Sequence, residues 1–324
     1  MTSIKPSLVA AVFSWCALTL TPIWCNAQSY PTKPVRLVVP FAPGGSTDVF
    51  ARLITERLAQ TWPQPMIIDN RPGAASNLGS EIVARSTPDG YTLLMASPGF
   101  VINSSLYSKA GFDPLKDFAP VVFVSLTPLV VTVHPSVAAK SLAELVQLAR
   151  NRPRELNFAS AGSSTHLATE LLKARTGMDL VHVPYKGTAP ATIDLLGGHV
   201  QLMLDNIQAV LPHIRSGRLR GLAVTSLKRA SPAPELPTVA ELGYPGFQAA
   251  SWFGLVAPAG APGAVIDKLN RDVNEILARP DVQSRMAAIG AEPGGGSPAD
   301  FRRFIEEEVA KWSALIKQIG LRAE

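Results

Sequence analysis

The segment Pro43-Gly44-Gly45-Ser46-Thr47-Asp48 interrupts an apolar, β-like run that ends near Phe41, and apolar residues return at helical spacing at Val49, Phe50, Leu53 and Ile54. A strand, a glycine-rich turn and a helix start together present free backbone N–H groups and the positive end of a helix dipole, a means of holding an anion. A phosphate-cradling P-loop needs a Lys followed by Ser or Thr after its last glycine, and a dinucleotide fingerprint needs three spaced glycines. Neither pattern is present. A carboxylate fits better, because its two oxygens can accept from the Ser46 and Thr47 hydroxyls as well as from backbone N–H groups. The competing reading is structural: Ser46 or Thr47 caps the helix and Asp48 complements its dipole.

The same device recurs. After the strand-like run "LNFA" comes Ser160-Ala161-Gly162-Ser163, then Ser164-Thr165-His166 at a helix start. Two such loops facing across a cleft would grip an anion from both sides. His166, in the first turn of that helix, is the one histidine placed near a ligand. His182 alternates with Val181 and Val183 and reads as a sheet residue. "HVPYKGTAP" sets Tyr185 and Lys186 at the end of a strand, the usual ligand position in open α/β sheets. The alternative there is a packed Tyr185 and a solvated Lys186. Asp205, closing "VQLMLD", either accepts from an amino group or caps the next helix.

Catalytic signatures are missing. The chain has no Gly-x-Ser-x-Gly elbow, no His-Glu-x-x-His and no pair of histidines at metal-ligand spacing. Neither a catalytic residue nor a metal or cofactor is expected. The rival class is an exported hydrolase acting on a small carboxylate ester.

Alternating elements must position these residues. "VRLVV", "MIID", "YTLLMAS" and "APVVFVSL" are strand candidates in the first third, and "LNFAS", "LVHVP", "VQLMLD" and "LRGLAVTS" in the middle. Helical patterns lie between them, such as 141–151, opened by Ser141 with Glu144 three residues on, a capping box. Near-continuous apolar strands separated by helices argue for α/β architecture with mostly parallel sheets. After "SWFGLVAPAG" two helices are expected, near 262–279 and 298–319, with no strand beyond 260 except a short stretch near the end. "LTPLVVTVHP" and "SWFGLVAPAG" are the expected crossovers between two lobes. Lobe 1 would then comprise 28–127 plus 250–324, and lobe 2 would comprise 128–249.

The chain of 324 residues is 47% hydrophobic and 17% charged, with a formal net charge of +5. That charge is scattered, and its nearest cluster (Arg215, Arg218, Arg220) lacks interleaved aromatics, so no nucleic-acid partner is expected. In residues 1–27 Lys5 precedes the apolar run "LVAAVFSWCALTL" and a small-residue "CNA". That run, about 13 residues, falls short of the roughly 20 needed to cross a bilayer. An export signal cleaved near Ala27 is the reading. Both cysteines, Cys16 and Cys25, lie in it, so the mature chain would have no thiol and would reside, as a monomer, in the periplasm.

The ordered set "YPTKPVRLVVPFAPGGSTDVFAR", "NRPGAASNLGSEIVARSTPDGYTLL", "HVPYKG", "LRGLAVTS", "ELPTVAELGYPGF", "SWFGLVAPAG" and "GAEPGGGSPADF" closely resembles the Bug-type extracytoplasmic solute receptors of tripartite tricarboxylate transporters. The resemblance covers nearly the whole mature chain. It implies a type II periplasmic-binding-protein fold: two α/β lobes, two crossover strands and a ligand cleft between them. It also implies a small carboxylate ligand (di- or tricarboxylate, acidic amino acid or aromatic acid), and large and small integral membrane subunits as partners. Delivery of the closed receptor to a sensor kinase is a second alternative. Phe41, Pro43, Gly44, Gly45, Ser46, Thr47 and Asp48 match the family's main carboxylate loop. Ser160, Gly162, Ser163, Ser164, Thr165 and His166 match the facing loop, and Ser97 matches a ligand-side position in the first lobe. Gly99-Phe100 stands where many relatives have small polar residues.

Overall fold

The computed structural model describes residues 30–185 and 187–322. The expected export signal with its two cysteines, and Lys186, lie outside the described residues.

The chain enters through β1 (Val35–Val39), whose apolar run is buried almost throughout, and turns into α1 (Ser46–Leu58). β2 (Met66–Asn70), α2 (Asn77–Ala84), β3 (Thr92–Ala96) and α3 (Pro98–Leu106) complete a first α/β block. β1 lies between β2 and β3, parallel to both. A 16-residue strand, β4 (Phe118–Val133), then leaves this block. It joins "APVVFVSL" and "LTPLVVTV" into one element.

The middle block repeats the alternation: α4 (Leu142–Asn151), β5 (Asn157–Ser160), α5 (Ser163–Thr176), β6 (Val181–Pro184), α6 (Thr188–Leu196), β7 (Leu202–Asn206), α7 (Ile207–Arg215) and β8 (Arg220–Val224). β5 pairs in parallel with β6 and β7. Ser141 caps α4 by accepting from the Glu144 N–H (3.2 Å), but the Glu144 carboxylate reaches back to the Lys140 N–H rather than to that of Ser141.

β9 (Ala250–Pro258) returns beside β4, and the sheet runs β2-β1-β3-β9-β4-β7-β5-β6. The expectation of mostly parallel sheets needs correction. The parallel pairs belong to the two α/β blocks, whereas every pairing of β4 and β9 is antiparallel. Residues 118–128 of β4 pair with β9, and residues 129–133 pair with β7. One strand therefore carries hydrogen bonds in both blocks.

The tail also differs from expectation. Beyond α8 (Gly263–Leu277) lie a further helix, α9 (Pro280–Ala288), and a strand, β10 (Glu292–Gly295), before α10 (Pro298–Ile319). Glu-Pro-Gly-Gly has no β propensity and no apolar alternation, so the sequence is silent about β10. Close approach explains it: a Cβ on Gly294 would stand 2.5 Å from the Phe123 carbonyl oxygen of β4. Side chains of α8 and α9 (Ile266, Leu269, Val273, Met286) join Leu37, Phe50 and Leu93 in one core. α10 is anchored by buried Glu308, whose carboxylate accepts from Trp252 Nε1 of β9 (3.2 Å) and from Trp312 Nε1 (2.9 Å).

Candidate functional site

β1 and β5 each run parallel to their neighbours and release a loop at the carboxyl end that opens a helix. At the first loop, α1 starts at Ser46 with Gly45 as its N-cap, and no side chain caps it. The capping reading for Ser46 and Thr47 is thereby corrected. Asp48 is 1% exposed and turns inward to its own loop. It accepts from the Gly44 N–H (3.0 Å), Asn70 Nδ2 (3.1 Å) and Arg52 Nε (2.7 Å). Asn70 also donates to the Phe41 carbonyl (3.0 Å). Burial pushes the Asp48 carboxyl up, but Arg52, the Gly44 N–H and Asn70 outweigh it and hold it below the usual carboxylate range. Asp48 and Asn70 thus staple the loop. The first N–H groups of α1 have no acceptor within the helix. Pro43, Gly44 and Gly45 are exposed, Phe41 and Ser46 are half-buried, and Thr47 is buried.

The second loop is held differently. Thr165 Oγ1 accepts from the Ala161 N–H (2.9 Å) and donates to the Gly162 carbonyl (3.2 Å). Ser160 Oγ lies 2.7 Å from His182 Nε2. Gly162 is the N-cap of α5, again without a side-chain cap. Ser163 and Ser164 are half-buried, and their hydroxyls make no hydrogen bond among the described residues. His166 is stacked on His182, with ring centroids 3.7 Å apart and an interplanar angle of 11°. Its Nε2 lies 3.7 Å from the Glu170 carboxylate, which also pairs with Lys173. Burial, and then the neighbouring His166, push the His182 imidazole down to about 4.

Ser97, 5% exposed, precedes α3 as its N-cap, and its side chain makes no capping bond. Behind it Ala74, Ala75 and Ser76 all have positive φ (45°, 53° and 84°), a run that non-glycine residues avoid. Asn103 holds this run by donating to the Ala75 carbonyl (2.6 Å) and to Asn77 Oδ1 (2.8 Å). Gly99 packs directly under the Ser76 hydroxyl.

Tyr185 donates its hydroxyl to Asp194 (2.6 Å) and packs against the buried cluster that includes Ala191, Leu195 and Met203. Asp205 is 1% exposed; its Oδ1 accepts from the Asn206 N–H (2.7 Å) at the start of α7. Its Oδ2 is buried without a hydrogen-bond partner among the described residues, and burial pushes this carboxyl up to about 6. Thr127 Oγ1, Asn206 Oδ1 and Gln208 Oε1 are likewise buried and unpartnered. They belong to β4 where it passes between the blocks, to the end of β7 and to the start of α7. Gln208 Nε2 donates to Ser46 Oγ (2.7 Å), joining the middle block to the first loop.

Sequence reasoning missed Asn70, Thr127, Asn206 and Gln208. Asn70 left a faint signal, a polar residue ending "MIIDN". Gln208 left none, since a glutamine in a helix reads as surface. Among the described residues no group of three His, Cys, Asp or Glu side chains could hold a metal, and no helix is long and apolar enough to cross a membrane.

Residues 50–321 match the TctC family model, described as tripartite tricarboxylate transporter family receptor. The chain is 41% identical to Protein BugT of Bordetella pertussis over 318 residues, covering 97% of each. Among solved structures it is similar to R. palustris Rpa4515 with adipate (TM-score 0.84, 43% identity, 90% of this chain and 99% of that one). It is also similar to MatC (Rpa3494) from Rhodopseudomonas palustris with bound malate (TM-score 0.80, 34% identity, 89% and 100%).

Proposed function

The chain belongs to the tripartite tricarboxylate transporter receptor family, and from that premise we propose that it captures a small organic carboxylate between two closing lobes. The lobes are 28–127 plus 250–324, and 128–249. The register of β4 supports this division, as does the packing of α8 and α9 on the first block. After loss of residues 1–27 the receptor works in the periplasm and presents its ligand to large and small integral membrane subunits. It makes and breaks no bond.

One observation carries the reading. Two uncapped helix starts, with the hydroxyls of Ser46 and Thr47 at one and of Ser163 and Ser164 at the other, belong to different blocks that are linked by the Gln208–Ser46 bond. Uncapped N–H groups and the positive helix ends favour an anion. Neutral hydroxyls add donors without fixing the charge of the site. Phe41 covers the ligand's carbon skeleton, Ser97 lines the first lobe, and Asp205 and Tyr185 bound the second. Lys186 neutralises a further carboxylate. The adipate and malate in the related structures are ligands of this class.

The Ser160–His182 pair offers little to the hydrolase alternative. Ser160 is 3% exposed, and an imidazole pushed down to about 4 is too weak a base to activate a hydroxyl near neutral pH. The test is mass spectrometry of ligand released by denaturing the purified protein, followed by thermal unfolding with the compound found. At 100 times its Kd the ligand should stabilise the protein by about 2.7 kcal/mol without being consumed. Turnover, or no stabilisation by any carboxylate, would overturn the reading.

A further inference from the structure

We propose that Gln208 is a positioning residue that couples lobe closure to carboxylate capture: its amide donates across the cleft to Ser46 and so directs the Ser46 proton onto the ligand. This rests on the receptor reading above, which uses Gln208 only as a link between the two blocks, and gives that residue a role in binding.

Gln208 and Ser46 are 162 positions apart in sequence and come within 2.7 Å, Nε2 to Oγ. An amide N–H only donates, so the Ser46 oxygen is the acceptor in this bond. A hydroxyl has a single proton, and here that proton is released from Gln208. It lies at the first residue of α1, among N–H groups that have no helical acceptor, and it joins them as one more donor. A hydroxyl that accepts one hydrogen bond also becomes a better donor in the next. Gln208 and Ser46 stand on different blocks, so the bond ties the presentation of Ser46 to the way the two blocks meet.

Two further observations support a built device. Ile207, next to Gln208, packs against Gly290 of the opposite block, where a Cβ would stand 2.4 Å from the Ile207 side chain. The start of α7 is therefore seated on the other lobe independently of Gln208. In addition, Gln208 Oε1 is buried with no partner among the described residues, so the side chain gives up solvation to hold its position. A reversed amide would accept the Ser46 proton instead, and the two orientations predict opposite effects of a carboxylate at this position.

The test uses the full mature chain and the tightest-binding probe among succinate, malate, adipate, citrate, aspartate and benzoate, with affinity from calorimetry and release rate from stopped flow. Gln208→Leu should weaken binding by about tenfold, chiefly through faster release, while the melting temperature of ligand-free protein stays close to that of the wild type. Gln208→Glu should bind more weakly still than Gln208→Leu, because its carboxylate takes the Ser46 proton and adds negative charge beside the ligand. In a Ser46→Ala background, Gln208→Leu should cost less than about twofold more. Unchanged affinity in Gln208→Leu, or a Gln208→Glu variant that binds better than Gln208→Leu, would overturn the inference while leaving the receptor reading intact. A wild type that binds none of the probes would overturn both.

Discussion

The two anion loops look alike in sequence and differ in how they are held. In the first, the Asp48 carboxylate in the first turn of α1 and the Asn70 amide at the end of β2 organise the loop, and the Ser46 and Thr47 hydroxyls are not spent on the helix cap. In the second, hydroxyls do that work. Thr165 ties Ala161 to Gly162, and Ser160 is engaged by His182, which leaves Ser163 and Ser164. Equivalent residue types therefore have different duties, and the contrast teaches that a Ser/Thr-rich loop does not reveal which hydroxyl faces a ligand. Only the surrounding acceptors and donors decide that.

The comparison breaks most visibly at Asp48. Asp48→Ala removes the acceptor for the Gly44 N–H and Asn70 together, and should cost about 3 kcal/mol of stability. The Arg52 partner adds little, because its side chain is 50% exposed. Chemical denaturation should show the loss, and no binding should survive it; a fully stable variant would mean the first loop needs no staple.

Asp205, at the strand end beside the second loop, carries the next effect. Its carboxyl has a folded pKa of about 6 against an ordinary 3.8, so the folded state holds more protons between those values. Stability therefore falls as pH rises from about 4 to about 6 and stays reduced above. Asp205→Asn keeps the acceptor for the Asn206 N–H, and should raise stability at pH 7 by about 2 kcal/mol, the gain vanishing near pH 4. Unfolding curves at several pH values check this, and a pH-independent difference would contradict it.

Thr47 and Thr165 sharpen the contrast directly. Thr47→Ala should cost about 1–2 kcal/mol of ligand binding and little stability, whereas Thr165→Ala should cost about 1–2 kcal/mol of stability through the unpaired Ala161 N–H. Calorimetry and thermal unfolding on the pair separate the two duties; equal losses in both measurements would erase the distinction.

The smallest effect belongs to His182, which is only partly buried. Its imidazole is pushed down from 6.5 to about 4, so the unfolded chain binds more protons in that interval and stability rises with pH across it. The sign opposes that of Asp205. His182→Gln should flatten the acid limb of the stability profile below about pH 6.5, and an unchanged limb would remove His182 as its cause.

Much of the molecule was legible in the chain. The runs read as strands lie on β1 to β9 within a residue or two, because buried strands need continuous apolar residues and the segments between them change to helical spacing. Ser297 with Asp300 closes a full capping box at α10, as local chemistry dictates. The two strand–loop–helix devices were visible for the same reason, and the family resemblance extends over residues 50–321.

The tertiary structure decided what depends on distant partners. β10 has no local propensity and exists because glycines let it lie against Phe123. His166 gained a stacking partner in His182, which β6 carries. Asp48 faces its own loop because Gly44, Arg52 and Asn70 converge on it. Gln208 reaches Ser46 only when chain segments 162 positions apart come together. Propensity and apolar spacing are local quantities and can be read along the chain, whereas the direction of a hydroxyl or carboxylate is set by whichever donor the fold brings within about 3 Å of it.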